Sequence, residues 1–254
     1  MAFALGPALS SVGCGTERPI IAVEDGSIPT MPTPMPGKAM LTGVVRDGAG
    51  MPVGGAKLWI AETDATATSE ATGAYAIDVP SDSTVTLVGS ADGFAKTYEE
   101  SVMLGAGTAG SVDVRLLAPA DITAKSAMAG VAAPDKRGVM AVRLRSTDAG
   151  CLAAGAKLTV YPPGAATVIY GRPGSTGGMA VPDATLASVQ DGADVAAWLV
   201  AVVPPGNMLS LTIDQPQCAL AAGPQTVNGM MFTGQRRSDA GALTEASLFL
   251  AAAQ

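Results

Sequence analysis

From Leu41 onward, apolar and polar positions alternate in short runs divided by Gly, Pro, Asp and Ser. The runs are Leu41-Thr-Gly-Val-Val-Arg-Asp47, Ala56-Lys-Leu-Trp-Ile-Ala61, Ala74-Tyr-Ala-Ile-Asp-Val79, Thr84-Val-Thr-Leu-Val-Gly89, Ser101-Val-Met-Leu104 and Ser111-Val-Asp-Val-Arg-Leu-Leu117. Between them lie turn-forming stretches at Gly48 to Gly54, Ala71-Thr72-Gly73 and Pro80-Ser81-Asp82. A two-residue period with turns roughly every 8 to 12 residues predicts short antiparallel strands packed as a sandwich. After Asp135 the pattern resumes with Gly138-Val-Met-Ala-Val-Arg-Leu144, Ala156-Lys-Leu-Thr-Val-Tyr161 and Leu209-Ser-Leu-Thr-Ile213. The Ala-rich segment 119–133, holding Lys125 and Met128, permits a short linking helix.

The two halves echo one another. Ala49 to Leu58 recurs as Ala149 to Leu158 with six of ten positions identical, and Ala65 to Ala74 recurs as Ala184 to Ala193 with five of ten. The register moves by 19 residues between these matches, which places an insertion at 162–183 with Tyr170, Arg172 and a Gly-rich tip, Ser175-Thr176-Gly177-Gly178. Ala240-Gly241 to Leu250 parallels Ala106-Gly107 to Leu116. Repetition at domain length predicts two copies of one sandwich, at 39–118 and, in divergent form, at 134–254. Each carries its own set of strand signals and is expected to fold by itself. The insertion is expected to be an exposed binding loop, with Tyr170, Arg172, Ser175 and Thr176 as its candidate contacts.

The first half resembles the carboxypeptidase regulatory-like domain, a transthyretin- or prealbumin-like β-sandwich. The likeness rests on Gly43-Val44-Val45-x-Asp47, Gly50-x-Pro52-Val53-x-Gly55-Ala56-x-Leu58, Thr72-Gly73-x-Tyr75-x-Ile77-x-Val79-Pro80, Val85-Thr86-Leu87 and Ala91-x-Gly93-Phe94. It implies an all-β chain of two tandem Greek-key sandwiches. These are framework positions: Gly50 and Gly73 allow tight turns, Pro52 shapes entry to a strand, and Tyr75 buries its ring with its hydroxyl at the sheet edge.

Residues 1–14 are small and apolar up to Cys14 and resemble the end of a bacterial lipoprotein signal, in which the cysteine is acylated and becomes the mature N-terminus. No Lys or Arg precedes Arg18, and a start lying upstream would supply the missing basic region. The Pro-rich stretch 15–38 reads as a semi-extended spacer. With Cys14 lipidated, Cys151 and Cys218 remain as an even pair for one disulfide in an oxidising compartment. The expected location is the outer membrane or cell surface of a bacterium, through a lipid anchor.

Composition narrows the chemistry. The 254 residues include no histidine, which excludes Ser-His-Asp and Cys-His couples and His-ligated metals. Fifteen basic residues stand against 22 acidic ones, with no basic run longer than Lys136-Arg137 or Arg236-Arg237, so nucleic acid is not an expected partner. No segment after the N-terminus approaches the ~20 apolar residues of a spanning helix. Gly171 to Gly178 lacks the Lys-Ser/Thr ending of a phosphate loop. Glu99-Glu100, Asp47, Asp64, Asp78 and Asp82 form no calcium-loop ladder and are expected on the solvated surface. No catalytic, cofactor or metal residue is assigned, and no enzyme activity is expected. Three readings stay open: a surface-displayed binding or scaffold lipoprotein, a carbohydrate-binding or adhesion module using Trp59, Trp198, Tyr161 and Tyr170, or an accessory subunit of an envelope transport or peptidase complex. Their partners would be an envelope protein or a glycan.

Overall fold

The computed structural model describes residues 37–130, 138–148, 150–174, 178–193, 195–201, 210–234, 239 and 241–252. The first half holds β1 (Lys38–Asp47), β2 (Lys57–Ile60), β3 (Thr66–Thr68), β4 (Ala74–Pro80), β5 (Thr84–Val85), β6 (Leu87–Ser90), β7 (Thr97–Tyr98), β8 (Val102–Leu104), β9 (Ala109–Ser111) and β10 (Val114–Leu116). After α1 (Pro119–Met128) come β11 (Val139–Ser146), β12 (Lys157–Tyr161), β13 (Ala166–Arg172), β14 (Val181–Asp183) and β15 (Ala197–Ala201). The chain continues with β16 (Ser210–Asp214), β17 (Cys218–Leu220), β18 (Gln225–Val227), β19 (Met230–Phe232) and β20 (Leu243–Ala252). The all-β reading holds, and the linking helix forms within the expected segment.

The alternating pattern acts as expected in the first half. Along β4, Tyr75, Ile77 and Val79 are buried while Ala76 is exposed. β4 runs antiparallel to β1 from Lys38 opposite Pro80 to Val44 opposite Ala74, and β9 and β10 run parallel to β1. The facing layer is β3-β2-β6-β7. Leu41, Val45, Leu58, Ile60, Ile77 and Leu116 pack in one core. Tyr75 buries its ring there and donates from its hydroxyl to the Val112 carbonyl at 2.5 Å.

The framework turns are equally specific. The Asp47 carboxylate accepts the backbone N–H groups of Ala49 at 2.9 Å and Met51 at 2.8 Å, closing the turn before β2. Gly73 has φ +78°, and a Cβ there would lie 2.5 Å from the Val45 carbonyl oxygen. The site therefore requires glycine twice over, for its dihedral and for the close backbone approach.

Strand pairing in the second half repeats parts of the first. β11 pairs antiparallel with β15 and parallel with β20, as β1 does with β4 and β10; β12 pairs antiparallel with β16, as β2 does with β6. Gly55 N–H donates to Ser69 O and Ser69 N–H to Ala56 O, each at 2.9 Å; Gly155 N–H donates to Val189 O and Val189 N–H to Ala156 O, also at 2.9 Å. The sequence match sets Ser188 against Ser69, whereas the hydrogen bonds set Val189 there, one residue later.

The larger departure is in how the halves join. β20 pairs with β11 on one edge and with β7 on the other, both in parallel, so one sheet runs β14-β13-β15-β11-β20-β7-β6-β2-β3, with β17 also on β20. The β18–β19 hairpin pairs with β8, setting Phe232 opposite Val102. Met230, Phe232 and Phe249 enter the first core, with the two phenylalanine rings tilted at 5.3 Å. Residues from beyond the expected boundary thus complete the first sandwich, and two self-contained units are not what the hydrogen bonding describes.

A second core gathers Leu158, Val160, Tyr170, Leu199, Leu211 and Leu248, and a third gathers Ile122, Ile169, Trp198, Val200 and Leu243 beneath α1. Pro at the start of α1 and Asp121 in its first turn suit a helix N-terminus. Its buried Lys125 holds the ammonium 4.4 Å from the centre of the Trp198 ring. Cys151 and Cys218 are disulfide-bonded, with Cα atoms 5.5 Å apart, and pack against Leu250.

Two outcomes follow. Replacing Phe249 by Ala should cost about 3 kcal/mol, and hydrogen exchange should quicken in β1, β4 and β8 as well as in β11; exchange confined to β11 and β15 would show that the first sandwich does not lean on β20. Replacing both Cys151 and Cys218 by Ser should lower stability by up to about 4 kcal/mol in chemical denaturation.

Candidate functional site

The insertion differs from its expected form. Most of it is built into the sheet: β13 pairs with both β15 and β14, and Ile169, Tyr170 and Gly171 are successively buried. Tyr170 is therefore a core residue whose hydroxyl accepts the Leu158 N–H at 3.0 Å. The physical reason lies in Thr167-Val168-Ile169-Tyr170, a β-branched and aromatic run that favours a strand over a loop. Arg172 is exposed and pairs with Asp183, whose carboxylate also accepts two hydrogen bonds from Thr185. Ser175 and Thr176 lie outside the described residues, as does Cys14.

The aromatic residues do not form a platform. Trp198 and Tyr170 are interior, Trp59 is half-buried, and Tyr161 is well exposed. Among the described residues no three His, Cys, Asp or Glu side chains are arranged to hold a metal ion.

The polar chemistry concentrates where the halves meet. Glu99 and Glu100, expected on the surface, are each only 6% exposed. They sit between β7 and β8, and β20 covers them because it docks beside β7. From β11 come Arg143 and Arg145, and from β20 come Glu245 and Ser247; Arg143 lies opposite Ser247 in the parallel register, so these alternate residues share one face. The Arg143 guanidinium meets the Glu245 carboxylate at 2.6 Å. Glu100 accepts the Ser247 N–H at 2.7 Å, and Arg145 donates from Nε to the Ser247 hydroxyl at 3.1 Å while lying 5.6 Å from the Phe232 ring centre.

These groups line a cleft of about 70 Å³, with Asp113 and Ser111 exposed beside it. A second hollow of about 130 Å³, lined by Leu220, Ala221, Leu248 and Phe249, shares Glu100, Phe232 and Ser247 with the first. Burial, reinforced by the neighbouring Glu245 carboxylate, pushes the Glu99 carboxyl well above the usual carboxylate range, against the opposing pull of Arg143 and Arg115. Its Oε1 has no hydrogen-bond partner. Burial and repulsion by Arg143 lower the Arg145 pKa from its ordinary value.

Sequence reasoning missed this cluster because its members come from the β7–β8 link, β11 and β20, which lie far apart in the chain. One signal was present: Arg143 and Arg145, and Glu245 and Ser247, are pairs two residues apart within predominantly apolar strands, the spacing of one sheet face.

Replacing Glu99 by Gln tests its environment. A carboxyl whose pKa is raised on folding contributes stability fully present below its unfolded pKa and lost as pH rises through the folded value. The Gln variant lacks that loss, so its stability relative to the native protein should be greater at about pH 8 than at about pH 4 in denaturant titrations. A difference independent of pH would contradict the assignment.

No curated protein matches this chain. Among solved structures, the N-terminal interface mutant of a type II cohesin–X-dockerin complex from Acetivibrio cellulolyticus is 14% identical over 45% of this chain and 81% of that one, with a TM-score of 0.28. The C-terminal interface mutant of the same complex gives 15% identity, the same coverage and a TM-score of 0.28. The Bacillus anthracis TIE protein is 9% identical over 84% of this chain and 34% of its own, with a TM-score of 0.26. In the remaining comparison, residues 40–117, the first sandwich, match the carboxypeptidase regulatory-like domain.

Proposed function

We propose that the protein is a non-catalytic, exported binding or scaffold module of the cell envelope, displayed from a membrane through acylated Cys14. The observation that carries this reading is the regulatory-like domain match over residues 40–117, whose motif residues serve turns and core and not a reactive centre. The absence of histidine supports it, since the commonest hydrolytic couples need that side chain. So does the size of the described clefts, about 130 and 70 Å³, against the ~300 to 1,000 Å³ usual for small-molecule sites. The Cys151–Cys218 bond suits an oxidising compartment outside the cytosol.

The second half is proposed to be a divergent copy of the first. The recurring Gly55–Ser69–Ala56 and Gly155–Val189–Ala156 hydrogen bonds favour common descent over chance resemblance of turns. A protein partner is favoured over a glycan because Trp198 and Tyr170 are committed to cores, which leaves few ring faces for stacking on a sugar.

Intact-mass measurement of the envelope-fraction protein should give a diacylated or triacylated chain beginning at Cys14, and crosslinking in intact cells should join it to an envelope protein. An unmodified chain beginning at Met1 in the soluble fraction would overturn the anchor. Retention on envelope glycan, with no protein crosslink, would transfer the function to the adhesion reading.

A further inference from the structure

The cleft at the junction is lined by more carboxyl groups than guanidinium groups. Four carboxyl groups, Glu99, Glu100, Asp113 and Glu245, line it with two guanidinium groups, Arg143 and Arg145. Arg115 adds a third guanidinium near Glu99. Counting Asp113 at the exposed mouth, one carboxyl remains in excess, and the buried Oε1 of Glu99 has no hydrogen-bond partner. A buried acceptor without a donor carries an uncompensated desolvation penalty, which an entering N–H donor removes. A cationic donor also favours the ionised form of Glu99 over the protonated form that burial promotes.

The shape restricts the occupant further. About 70 Å³ is room for a few waters or one side-chain head group, a single water needing ~10 to 15 Å³ on the same measure. The adjoining hollow offers Leu220, Ala221, Leu248 and Phe249 and meets the charged cleft at Glu100, Phe232 and Ser247. The two together match a basic side chain next to an apolar one, a combination that polypeptides present and a free polyamine does not.

We propose that this cleft receives an arginine or lysine side chain of a partner polypeptide, its head group donating to Glu99 and an adjacent apolar side chain filling the neighbouring hollow. The proposal rests on the binding-module reading and assigns that reading a site and a chemical class of partner. The head group bonds to Glu99 Oε1 with its stem along Phe232. Glu100 and Glu245 hold their places through Ser247 and Arg143. Where Glu99 is protonated before binding, its proton passes to solvent as the cation enters.

The test is an NMR titration of the full chain with Nα-acetyl-arginine amide, Nα-acetyl-lysine amide, dipeptide amides of each with leucine, the neutral citrulline analogue and spermidine. The basic amides should saturate, perturbing Glu99, Phe232 and Ser247, with citrulline at least about ten-fold weaker, as expected for loss of a charge-assisted hydrogen bond. The leucine-containing dipeptides should bind more tightly than the single-residue amides and should also perturb Leu220 and Phe249. The Glu99→Gln variant, if folded by its amide spectrum, should lose about ten-fold in affinity for the basic amides. Equal binding of citrulline and arginine amides to the native protein overturns the charge assignment whether or not the variant folds. Spermidine binding as tightly as the dipeptides overturns the polypeptide partner. Should no amide bind while the protein still crosslinks to an envelope protein in cells, this site is wrong and the binding-module reading stands; should the amides bind and no protein crosslink form, that reading falls and takes the polypeptide partner with it.

Discussion

The structure depends on one strand having two partners. β20 lies between β11 of the second half and β7 of the first, hydrogen-bonded in parallel to each. A strand with neighbours on both edges and layers on both faces has no solvated side, and Leu243 to Leu250 are buried at every position. Remove β20 and the long sheet separates into the strands either side of it, Phe249 leaves the first core, and the covering over Glu99 and Glu100 is lost. The regulatory-like segment is therefore a framework completed from more than one hundred residues away, which no local propensity can supply.

The ionic cluster is the chemical consequence of that burial. Glu245 and Ser247 lie on the face of β20 turned toward the first half, and a carboxylate taken from water there needs a counterion. Arg143 from the adjacent strand provides one, at the cost of bringing a second guanidinium, Arg145, into the same face. Glu100 then fixes the β20 backbone at Ser247. Such networks are seldom a net source of stability compared with apolar packing, but breaking one member is expensive because its partner stays buried. Their value here is register: a shift of β20 by one residue would turn Glu245 and Ser247 away from Arg143 and Glu100 and present Ala246 and Leu248 in their place.

How much could be read in advance follows the range of the interactions. The alternation of Tyr75, Ile77 and Val79, the turn closed by Asp47 and the glycine at 73 are written within a few residues of one another, and the first sandwich was legible from them. The Cys151–Cys218 pair was legible through parity and position. Tyr170 departs from the loop expected of it because a shift in repeat register arises from an added strand as readily as from a loop. The junction was invisible for a different reason. The parallel pairing of Leu243 with Thr97 joins positions far apart in the chain, and no motif in either segment names the other. Glu99-Glu100 follow Tyr98 as two adjacent acids, a pattern that ordinarily marks a solvated face, and only the docking of β20 reverses it.

The same topology ties recognition to integrity. Glu99 and Glu100 belong to the first half, Arg143 to β11, and Glu245 to the strand between them, so the cleft exists only when all three are assembled. A ligand held there binds the joined state and not the parted one, and stabilises it by RT ln(1 + [L]/Kd). Its affinity is in turn lowered by whatever free energy the junction lacks, because only the assembled fraction can bind. A partner seated at this seam would therefore fasten β20 in place as it binds, and the buried Glu99 carboxyl, a modest liability while its Oε1 lacks a donor, would become the element that distinguishes a basic side chain from a neutral one.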